Sequence, residues 1–405
     1  MSDLLKIETP AGDLRKVLSL LSRIRLHRSK IPVLGCALVE AKDNAVTLTV
    51  TDLGAWLTLS LPARVHAPGR ALLPFNLARM LVANHAAGTP ITIEQAAGGT
   101  ELTVSDPDGR TTLITPPVSD FPEDNLSTRP VIGTLTLADE AAFRDRLKRA
   151  LRVVSTEETR YYLNGVCLDV AEGADKVKLV STDGHRLIAI DAGAEWSPAA
   201  QGEMDPPDQL CILPRMIVPA LTAMPFAGPI LLREGENFEV PLVGGRIITS
   251  TIDGKFPDWR RVVPKFGERQ PDMISFDRAE LLSAMRRIPW GHRSTRIDIA
   301  VGKGKAVLSY NSRHDLSGFR VLSVESSTKT PEWFHAFDRQ YLTEACLACR
   351  GDLLTIECTA GEEGGPVRIV SDSGVDFVLM PMRGERDEAV ALLRSLTAEQ
   401  PRAAA

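Results

Sequence analysis

The stretch Ser181–Ile188 reads Ser-Thr-Asp-Gly-His-Arg-Leu-Ile and follows an apolar, strand-like run at Val177–Val180. Gly184 tolerates the positive φ that a tight turn needs, and Asp183 can accept hydrogen bonds from the backbone of that turn. The pattern therefore predicts a strand that ends in a turn carrying a histidine and an arginine. Alone, such a turn is as often an ordinary solvated β-turn as a binding site, so its meaning depends on the rest of the chain.

The composition is that of a folded chain with several domains. At 405 residues and 44% hydrophobic content, the chain is longer than one core usually organises and has enough apolar material for two or three. A charged and apolar leader is not evident, nor is a run near the roughly 20 apolar residues that span a bilayer, which predicts a cytoplasmic protein.

The cysteines do not predict a disulfide framework. There are six in a long chain expected in the cytoplasm, so we expect them to be reduced. Cys346 and Cys349 have the spacing of a redox or zinc site. They fall within an apolar helical periodicity, however, and no second such pair accompanies them, so core packing is the preferred interpretation.

A unit of about 130 residues, the size of one domain, recurs three times along the chain. Each copy begins with a strand pattern and an amphipathic helix: Leu5–Glu8 before Asp13–Ile24, Thr134–Leu137 before Glu140–Val154, and Ile274–Asp277 before Glu280–Ile288. Alternating strands and a second helix follow in each copy, the helices near 74–82, 214–223 and 338–349. This order predicts an α+β fold of three repeated domains, 1–130, 131–266 and 267–384, with a C-terminal tail at 385–405.

Short motifs in a fixed order resemble one known family. They are Tyr161–Gly165, Ser181–Ile188, Asp253–Pro264 and Val378–Arg383, with weaker matches at Ile31–Gly35, Thr51–Leu53 and Asp120–Pro122. Together they resemble the bacterial sliding clamp, the beta subunit of DNA polymerase III. The resemblance implies clamp-type domains, each with two helices packed on antiparallel sheets, and two chains closed head to tail into a ring around duplex DNA. It also implies a non-catalytic, nucleoid-associated processivity factor.

Positive charge in this chain, whose net charge is −5, recurs on the first helix of each copy. In the second copy, Arg144, Lys148 and Arg152 follow one another at four-residue spacing beside an apolar stripe that begins at Phe143. Basic residues solvate the faces of many helices. Three homologous basic helices in an acidic chain nevertheless predict sequence-independent contact with phosphates. The resemblance adds Arg28, Tyr161 and Tyr162 as positions that contact DNA.

The resemblance also implies a pocket that binds short peptides of the polymerase catalytic subunit, the clamp loader and other proteins with clamp-binding motifs. Its predicted residues are Leu163, Thr182, Gly184, His185, Arg186, Leu187, Pro257, Arg261, Val262, Val378, Met380, Pro381, Met382 and Arg383. Apolar and flexible methionine side chains suit such a slot, and the histidine and arginines would donate hydrogen bonds from its rim. The alternative is that 378–382 is an ordinary core strand, although a proline within it argues against a central strand.

The alternative functions are an enzyme and a protein that binds peptides without encircling DNA. An enzyme would need a third ligand beside Asp183 and His185, or a phosphate-binding loop, and neither occurs at a recognisable spacing. We therefore expect no catalysis, exonuclease activity included, and no metal or cofactor. A monomeric peptide-binding module, or a specialised accessory clamp that does not encircle DNA, is the stronger alternative. It is suggested by Arg110–Ile114, which is more polar than the apolar residues with which the family seals its ring.

The C-terminal tail contains the amphipathic stretch Asp387–Leu396, with Val390, Leu393 and Leu396 on one stripe. The stretch is too short to be a stable helix in isolation. It is expected either to be disordered or to dock in the nearby peptide pocket, where a tethered segment would compete with partner peptides.

Overall fold

The computed structural model describes residues 5–24, 31–95, 99–170, 176–199, 209–266, 270–289, 296–312, 316–361, 364–371 and 375–398. Within these ranges the chain is α+β, with antiparallel sheets and short helices. It divides into two compact units. Unit 1 comprises Met1–Lys148, Val170–Val177 and Gly193–Asp253, and unit 2 comprises Arg149–Asp169, Lys178–Ala192 and Gly254–Ala405. The domain boundaries expected after residues 130, 266 and 384 stay a prediction.

The helices are α1 (Ala11–Leu21), α2 (Phe75–Val82), α3 (Glu140–Leu151), α4 (Val218–Leu221), α5 (Arg278–Arg287), α6 (Arg339–Ala348) and α7 (Arg386–Thr397). Short 3-10 helices lie at Pro32–Gly35, Val118–Asp120, Glu158–Leu163 and Trp259–Arg261. The strands up to Ser250 are β1 (Leu5–Pro10), β2 (Cys36–Lys42), β3 (Ala45–Thr51), β4 (Ala55–Ser60), β5 (Arg64–Ala67), β6 (Gly69–Pro74), β7 (Pro90–Gln95), β8 (Glu101–Asp106), β9 (Gly109–Ile114), β10 (Val131–Leu137), β11 (Gly165–Val170), β12 (Lys176–Thr182), β13 (Arg186–Pro198), β14 (Gln209–Pro214), β15 (Ile230–Arg233), β16 (Asn237–Leu242) and β17 (Gly245–Ser250). The later strands are β18 (Asp272–Asp277), β19 (Arg296–Gly302), β20 (Lys305–Ser312), β21 (Leu316–Ser327), β22 (Trp333–Asp338), β23 (Leu353–Cys358), β24 (Val367–Val370) and β25 (Val375–Leu379).

The order of elements confirms the threefold repeat. In each copy a strand precedes each of two helices: β1–α1 and β6–α2, then β10–α3 and β14–α4, then β18–α5 and β22–α6. The helix α4 is much shorter than the predicted 214–223. Its sequence is Val-Pro-Ala-Leu, and the proline, which has no N–H to donate, stands in its first turn.

Residues that suit helix starts are found where the helices begin. The Asp277 carboxylate accepts a hydrogen bond from the Glu280 N–H at 2.7 Å and so caps α5. Asp338 caps α6 in the same way, with 2.7 Å to the Gln340 N–H. Helix α2 instead begins after Pro74 without a side-chain cap. These caps fix the first turns of α5 and α6.

Unit 1 contains a five-stranded antiparallel sheet in the order β5-β1-β7-β8-β9. Strand β9 is therefore at one edge of this sheet within the described residues. Its last residue, Ile114, is 82% exposed. In a second pairing within unit 1, β4 of the first repeat joins β17 of the second, from Gly245↔Leu59 to Thr249↔Ala55.

In unit 2, β25 of the third repeat pairs with β13 of the second, from Arg186↔Leu379 to Ile190↔Val375. This antiparallel pairing places Val378 directly opposite Leu187. Two regions that lie far apart in sequence are thus held side by side, and both belong to the predicted peptide pocket.

The tail forms α7, which packs against β19, β20 and β22. Val390 and Leu393 are buried there, as the apolar stripe predicts, whereas Leu396 is 44% exposed. The expectation of a disordered tail is therefore wrong for Arg386–Thr397. The expectation of docking in the peptide pocket is also not met, because the stripe is buried on this sheet instead. Residues 399–405 lie outside the described residues.

The cysteines are buried and none forms a disulfide among the described residues. Cys346 and Cys349 face the core from α6 and its end, as expected. Burial raises the pKa of the Cys346 thiol to about 12, so almost no thiolate is available for redox or metal chemistry.

Candidate functional site

The turn at Thr182–Arg186 is held by its own side chains. Thr182 Oγ1 donates to the Arg186 carbonyl at 2.7 Å and accepts from the Gly184 N–H at 3.1 Å. Asp183 Oδ1 accepts from the N–H groups of His185 at 2.9 Å and Arg186 at 3.1 Å. Gly184 has φ of +92°, which other residues rarely adopt. The sequence therefore builds a rigid turn that presents His185 to solvent.

Arg186 is 7% exposed, and its guanidinium is already engaged. It donates to the Asp183 carboxylate at 3.0 Å, to the Glu344 carboxylate, and to the Arg152 carbonyl at 3.0 Å. It also lies 4.3 Å from the centre of the Tyr341 ring. The predicted role as a free donor on the rim does not fit this geometry. Arg186 instead supports the wall of the site, through charge-assisted bonds to two acids.

A cavity of about 270 Å³ opens beside this turn, entirely within unit 2. Most of the predicted peptide-pocket residues line it: Leu163, Thr182, Gly184, His185, Arg186, Leu187, Pro257, Val262, Val378 and Met380. Leu163, Leu187 and Val378 are buried and form an apolar floor, whereas Val262 and Met380 are 49% and 40% exposed. A concave apolar floor with half-exposed apolar edges suits an apolar side chain of a ligand.

Four further residues complete the lining and were not predicted: Arg160, Tyr162, Asp258 and Trp259. They come from the 3-10 segments Glu158–Leu163 and Trp259–Arg261 or from the residue just before them. The motifs contained all but Arg160, but sequence alone did not indicate which side of each short segment faces inward. We call the whole lining the peptide cavity.

The new wall residues are held by charge pairs. Trp259 lies 4.8 Å from the Arg260 guanidinium, and Arg260 is bonded at 3.3 Å to the Asp169 carboxylate. Arg160 is bonded at 2.8 Å to Glu157. A Cβ at position 184 would lie 2.6 Å from the Arg160 guanidinium, so the glycine is also needed for this close approach. Charge pairs thus hold Arg160 and Arg260 beside the cavity in the absence of a ligand.

The remaining predicted pocket residues lie elsewhere. The Arg261 side chain is 84% exposed and pairs with Asp258 at 3.1 Å, outside the cavity lining. Pro381, Met382 and Arg383 line a separate hollow of about 480 Å³ together with Phe334, His335, Ala336, Gly364, Gly384 and Arg386.

Backbone hydrogen bonds fix the segment that joins the cavity to the hollow. The Met380 N–H donates to the His185 carbonyl at 2.9 Å, and the Met382 N–H donates to the Ala336 carbonyl at 2.7 Å. The chain is therefore a regular strand up to Leu379 and leaves it at Pro381. Val378 is a core strand residue that also lines the cavity.

The predicted DNA-contacting residues differ in their exposure and in whether an acidic side chain neutralises their charge. Arg144 is bonded at 2.6 Å to Glu140, one turn earlier on α3, so its charge is neutralised. Lys148 and Arg152 are exposed. Arg149, which was not singled out, is buried and donates to the Ala348 carbonyl. Arg28 lies outside the described residues.

The two predicted tyrosines have different environments. Tyr161 is 55% exposed and contacts Tyr162 edge to face, with ring centres 5.8 Å apart. Tyr162 is half-buried and lines the peptide cavity. Only Tyr161 therefore presents most of its ring to solvent, where it is available for stacking or phosphate contact.

The described residues lack two further features. No cluster of three or more histidine, cysteine, aspartate or glutamate side chains there could hold a metal ion. In the same part of the chain, no helix has the length and apolar character needed to cross a membrane.

Several known proteins are similar to this chain. Residues 139–258 match the family model for the central domain of the DNA polymerase III beta subunit. The beta sliding clamp of Caulobacter vibrioides is 27% identical over 400 residues, covering 94% of this chain and 100% of the relative. That of Salmonella typhimurium is 28% identical over 373 residues, covering 88% and 93%.

Solved structures share the fold. The DnaN sliding clamp of Bartonella birtlesii, bound to griselimycin, has a TM-score of 0.81 at 23% identity, over 94% of this chain and 100% of that one. The beta sliding clamp of C. crescentus has a TM-score of 0.80 at 24% identity, over 94% and 99%. Over most of its length the chain is similar to the beta sliding clamps, the beta subunits of bacterial DNA polymerase III.

Proposed function

We propose that this protein is a DNA sliding clamp: a homodimeric ring that encircles duplex DNA without sequence specificity and tethers DNA polymerase as a non-catalytic processivity factor. The observation that carries the proposal is the peptide cavity, because motifs from two repeats converge on one apolar slot within unit 2. The relatives, aligned over most of both chains, are beta sliding clamps. This function would localise the protein to the nucleoid.

The partners are proposed from the chemistry of the cavity. Its floor is apolar, and its edge carries a half-exposed methionine, a histidine and Arg160. Such a slot accepts short, largely apolar peptide segments, and methionine adapts to several of them. We therefore expect the polymerase catalytic subunit, the clamp loader and other proteins with clamp-binding motifs to share this one cavity.

The proposed contact with DNA rests on exposed basic and aromatic side chains. Lys148, Arg152 and Tyr161 are exposed, and two positive charges per chain suit phosphate contact that does not depend on sequence. In a ring, topology rather than affinity retains the protein on DNA, so a modest positive surface on an acidic chain is sufficient.

Retention on circular DNA tests the function. The purified chain, loaded on a nicked circular plasmid with its clamp loader and ATP, should elute with the plasmid and be released when a restriction enzyme linearises the plasmid. Light scattering of the free protein should give twice the 44.1 kDa mass of one chain. A chain that stays monomeric at tens of micromolar, or that binds linear and circular DNA equally, would instead be a peptide-binding module that does not encircle DNA.

A further inference from the structure

The chain continues past the peptide cavity into a helix that the cavity itself does not use. From Met380 to Arg383 it leaves β25, and two backbone hydrogen bonds, from Met380 to His185 and from Met382 to Ala336, hold it. Gly384 and α7 follow directly. We call Gly384, Glu385 and α7 together the brace.

The brace is firmly attached to β19, β20 and β22. Ala389, Val390 and Leu393 are buried in one apolar cluster with residues of these strands, including Ala300 and Phe334. At the far end of α7, Arg394 forms two hydrogen bonds with the Glu332 carboxylate, at 2.6 and 2.7 Å. The paired, bidentate geometry fixes the end of the helix as well as its middle.

The start of the brace also packs closely against the sheet. A Cβ at position 384 would lie 2.5 Å from Asp298 Oδ1 and 2.6 Å from Ala336 Cβ and Phe334 Cζ, so only glycine fits flat against the sheet. Glu385 pairs with Arg296 at 3.5 Å. The chain is therefore pinned within one or two residues of Arg383.

We propose that the brace is a positioning element that holds Met380–Arg383 in the geometry that keeps Met380 at the edge of the peptide cavity. A segment beyond the last strand, held by two backbone hydrogen bonds, would fray as chain ends do. Pinning it on its far side removes that freedom before a peptide arrives, which lowers the entropy cost of binding. The brace does not compete for the cavity, because its apolar stripe is already buried against the sheet. This inference rests on the proposed function, since it assumes that peptides bind at this site.

Deletion of Glu385–Ala405 tests the proposal, with deletion of only Glu399–Ala405 as the matched control. Binding of a peptide with a clamp-binding motif is measured by titration calorimetry. Hydrogen–deuterium exchange is measured in parallel for the segment Val378–Arg383. The longer deletion should raise the peptide Kd several-fold and speed exchange at this segment, while exchange in β18 and β23 of the same unit stays as in the full chain. The shorter deletion should change neither quantity.

Point variants keep the test valid if the longer deletion fails to fold. Gly384→Ala places a methyl group against Asp298 and Ala336 and should displace the segment without removing α7. Leu393→Asp puts a carboxylate in the apolar cluster and should release α7, whereas Leu393→Met preserves the packing. The first two variants should weaken peptide binding and speed exchange at Val378–Arg383, and the third should not.

The possible outcomes are distinct. Unchanged Kd and unchanged exchange after release of α7 would show that the brace is passive, and tighter peptide binding would show that the tail competes; either result overturns the proposal. If the full-length chain binds no peptide, the proposed function fails at this site. In that case the exchange measurement alone decides whether α7 holds Met380–Arg383 in place.

Discussion

At the scale of single residues, the site separates groups that bind from groups that support. Arg186 looked like a donor for ligands, but Asp183 and Glu344 hold its guanidinium. Glu344 is 158 residues away in sequence. No local pattern reports such a pairing, because it arises only when β25 and α6 are brought against β13. The sequence could predict that Arg186 belongs to the site, but not whether its guanidinium binds a ligand or pairs with acidic side chains of the protein.

Met380 and Met382 provide the clearest test of the cavity itself. Met380 lines it, whereas Met382 lines the neighbouring hollow. Apolar anchors in a peptide slot commonly cost about 2 kcal/mol when truncated. Met380→Ala should therefore weaken peptide binding markedly, and Met382→Ala should do so less. Calorimetric titration with one peptide measures both.

A matched control for these variants is Met273→Ala. Met273 is 37% exposed, close to the 40% of Met380, and belongs to the same unit but does not line the cavity. It should leave the peptide Kd unchanged. If Met380→Ala behaved like this control, peptides would bind elsewhere, and the hollow at Met382 would become the next candidate.

His335 predicts a pH dependence of stability. It is buried between Trp333 and Phe337, with ring centres 4.5 and 6.0 Å away. Burial lowers its pKa from 6.5 to about 4. The unfolded chain thus takes up this proton near pH 6.5, and the folded chain only near pH 4. The contribution of His335 to stability is complete above pH 6.5, falls as the pH is lowered through this window, and levels off below it.

Replacement of His335 by Phe, which preserves the aromatic stack, should remove that contribution to acid destabilisation. Between pH 7 and pH 4.5, the melting temperature should fall less for the variant than for the parent. Equal slopes for the two proteins would mean that other groups account for the acid sensitivity. His66, which is partly exposed on β5 of unit 1, offers a control through His66→Phe.

At the scale of elements, the hydrophobic periodicity and the residues that begin and end helices and strands predicted the fold well. The strand-helix order, the three first helices and the amphipathic stripe of the tail all follow from local patterns. Two helices differ from the prediction, each for a different physical reason. Helix α4 is short because a proline interrupts its donors, and α7 docks on the sheet formed by β19, β20 and β22 because an apolar face there needs cover. Where a correctly predicted helix docks depends on distant strands that the local pattern does not contain.

Helix α3 permits a sharper test of DNA contact than its sequence did. The spacing predicted three equivalent cations, but Arg144 is neutralised by Glu140. Each phosphate contact contributes about 0.9 to the slope of log K against log salt. Lys148→Ala and Arg152→Ala should each flatten that slope by up to this amount, and Arg144→Ala should change it little. Binding to a nonspecific duplex at several salt concentrations measures the slopes.

Equal effects of all three substitutions would contradict the conclusion that Glu140 neutralises Arg144. They would require Arg144 to leave Glu140 and bind a phosphate. No effect from any of them would direct attention to other basic residues, such as the exposed Arg286 and Arg287 of α5.

At the scale of the whole molecule, ring formation requires two chains to associate through surfaces that one chain leaves uncovered. In the described part of unit 1, β9 is an edge strand, and exposed edges are templates for pairing with another chain. We expect the proposed ring to close through the residues Arg110–Ile114 of this strand. Thr111 and Thr112 are polar and exposed, while Ile114 offers its side chain almost fully to solvent. We expect a dimer that is weaker than is usual in the family, with Ile114 as its main apolar contact on this edge.

Ile114→Lys should therefore shift the protein from dimer to monomer. Burying an unpaired ammonium group in the interface costs well over the 1.4 kcal/mol that corresponds to a tenfold change, so the dimer Kd should rise by at least about tenfold. Val243→Lys is the matched control, because Val243 is also an exposed apolar residue of unit 1 and lies in the turn between β16 and β17. Sedimentation over a dilution series should show dissociation only for the first variant, which should also lose retention on circular plasmid while still binding peptide. Dimers of unchanged strength in Ile114→Lys would mean that the chains associate through another surface, and the edge of β9 would then need a different explanation for its exposed isoleucine.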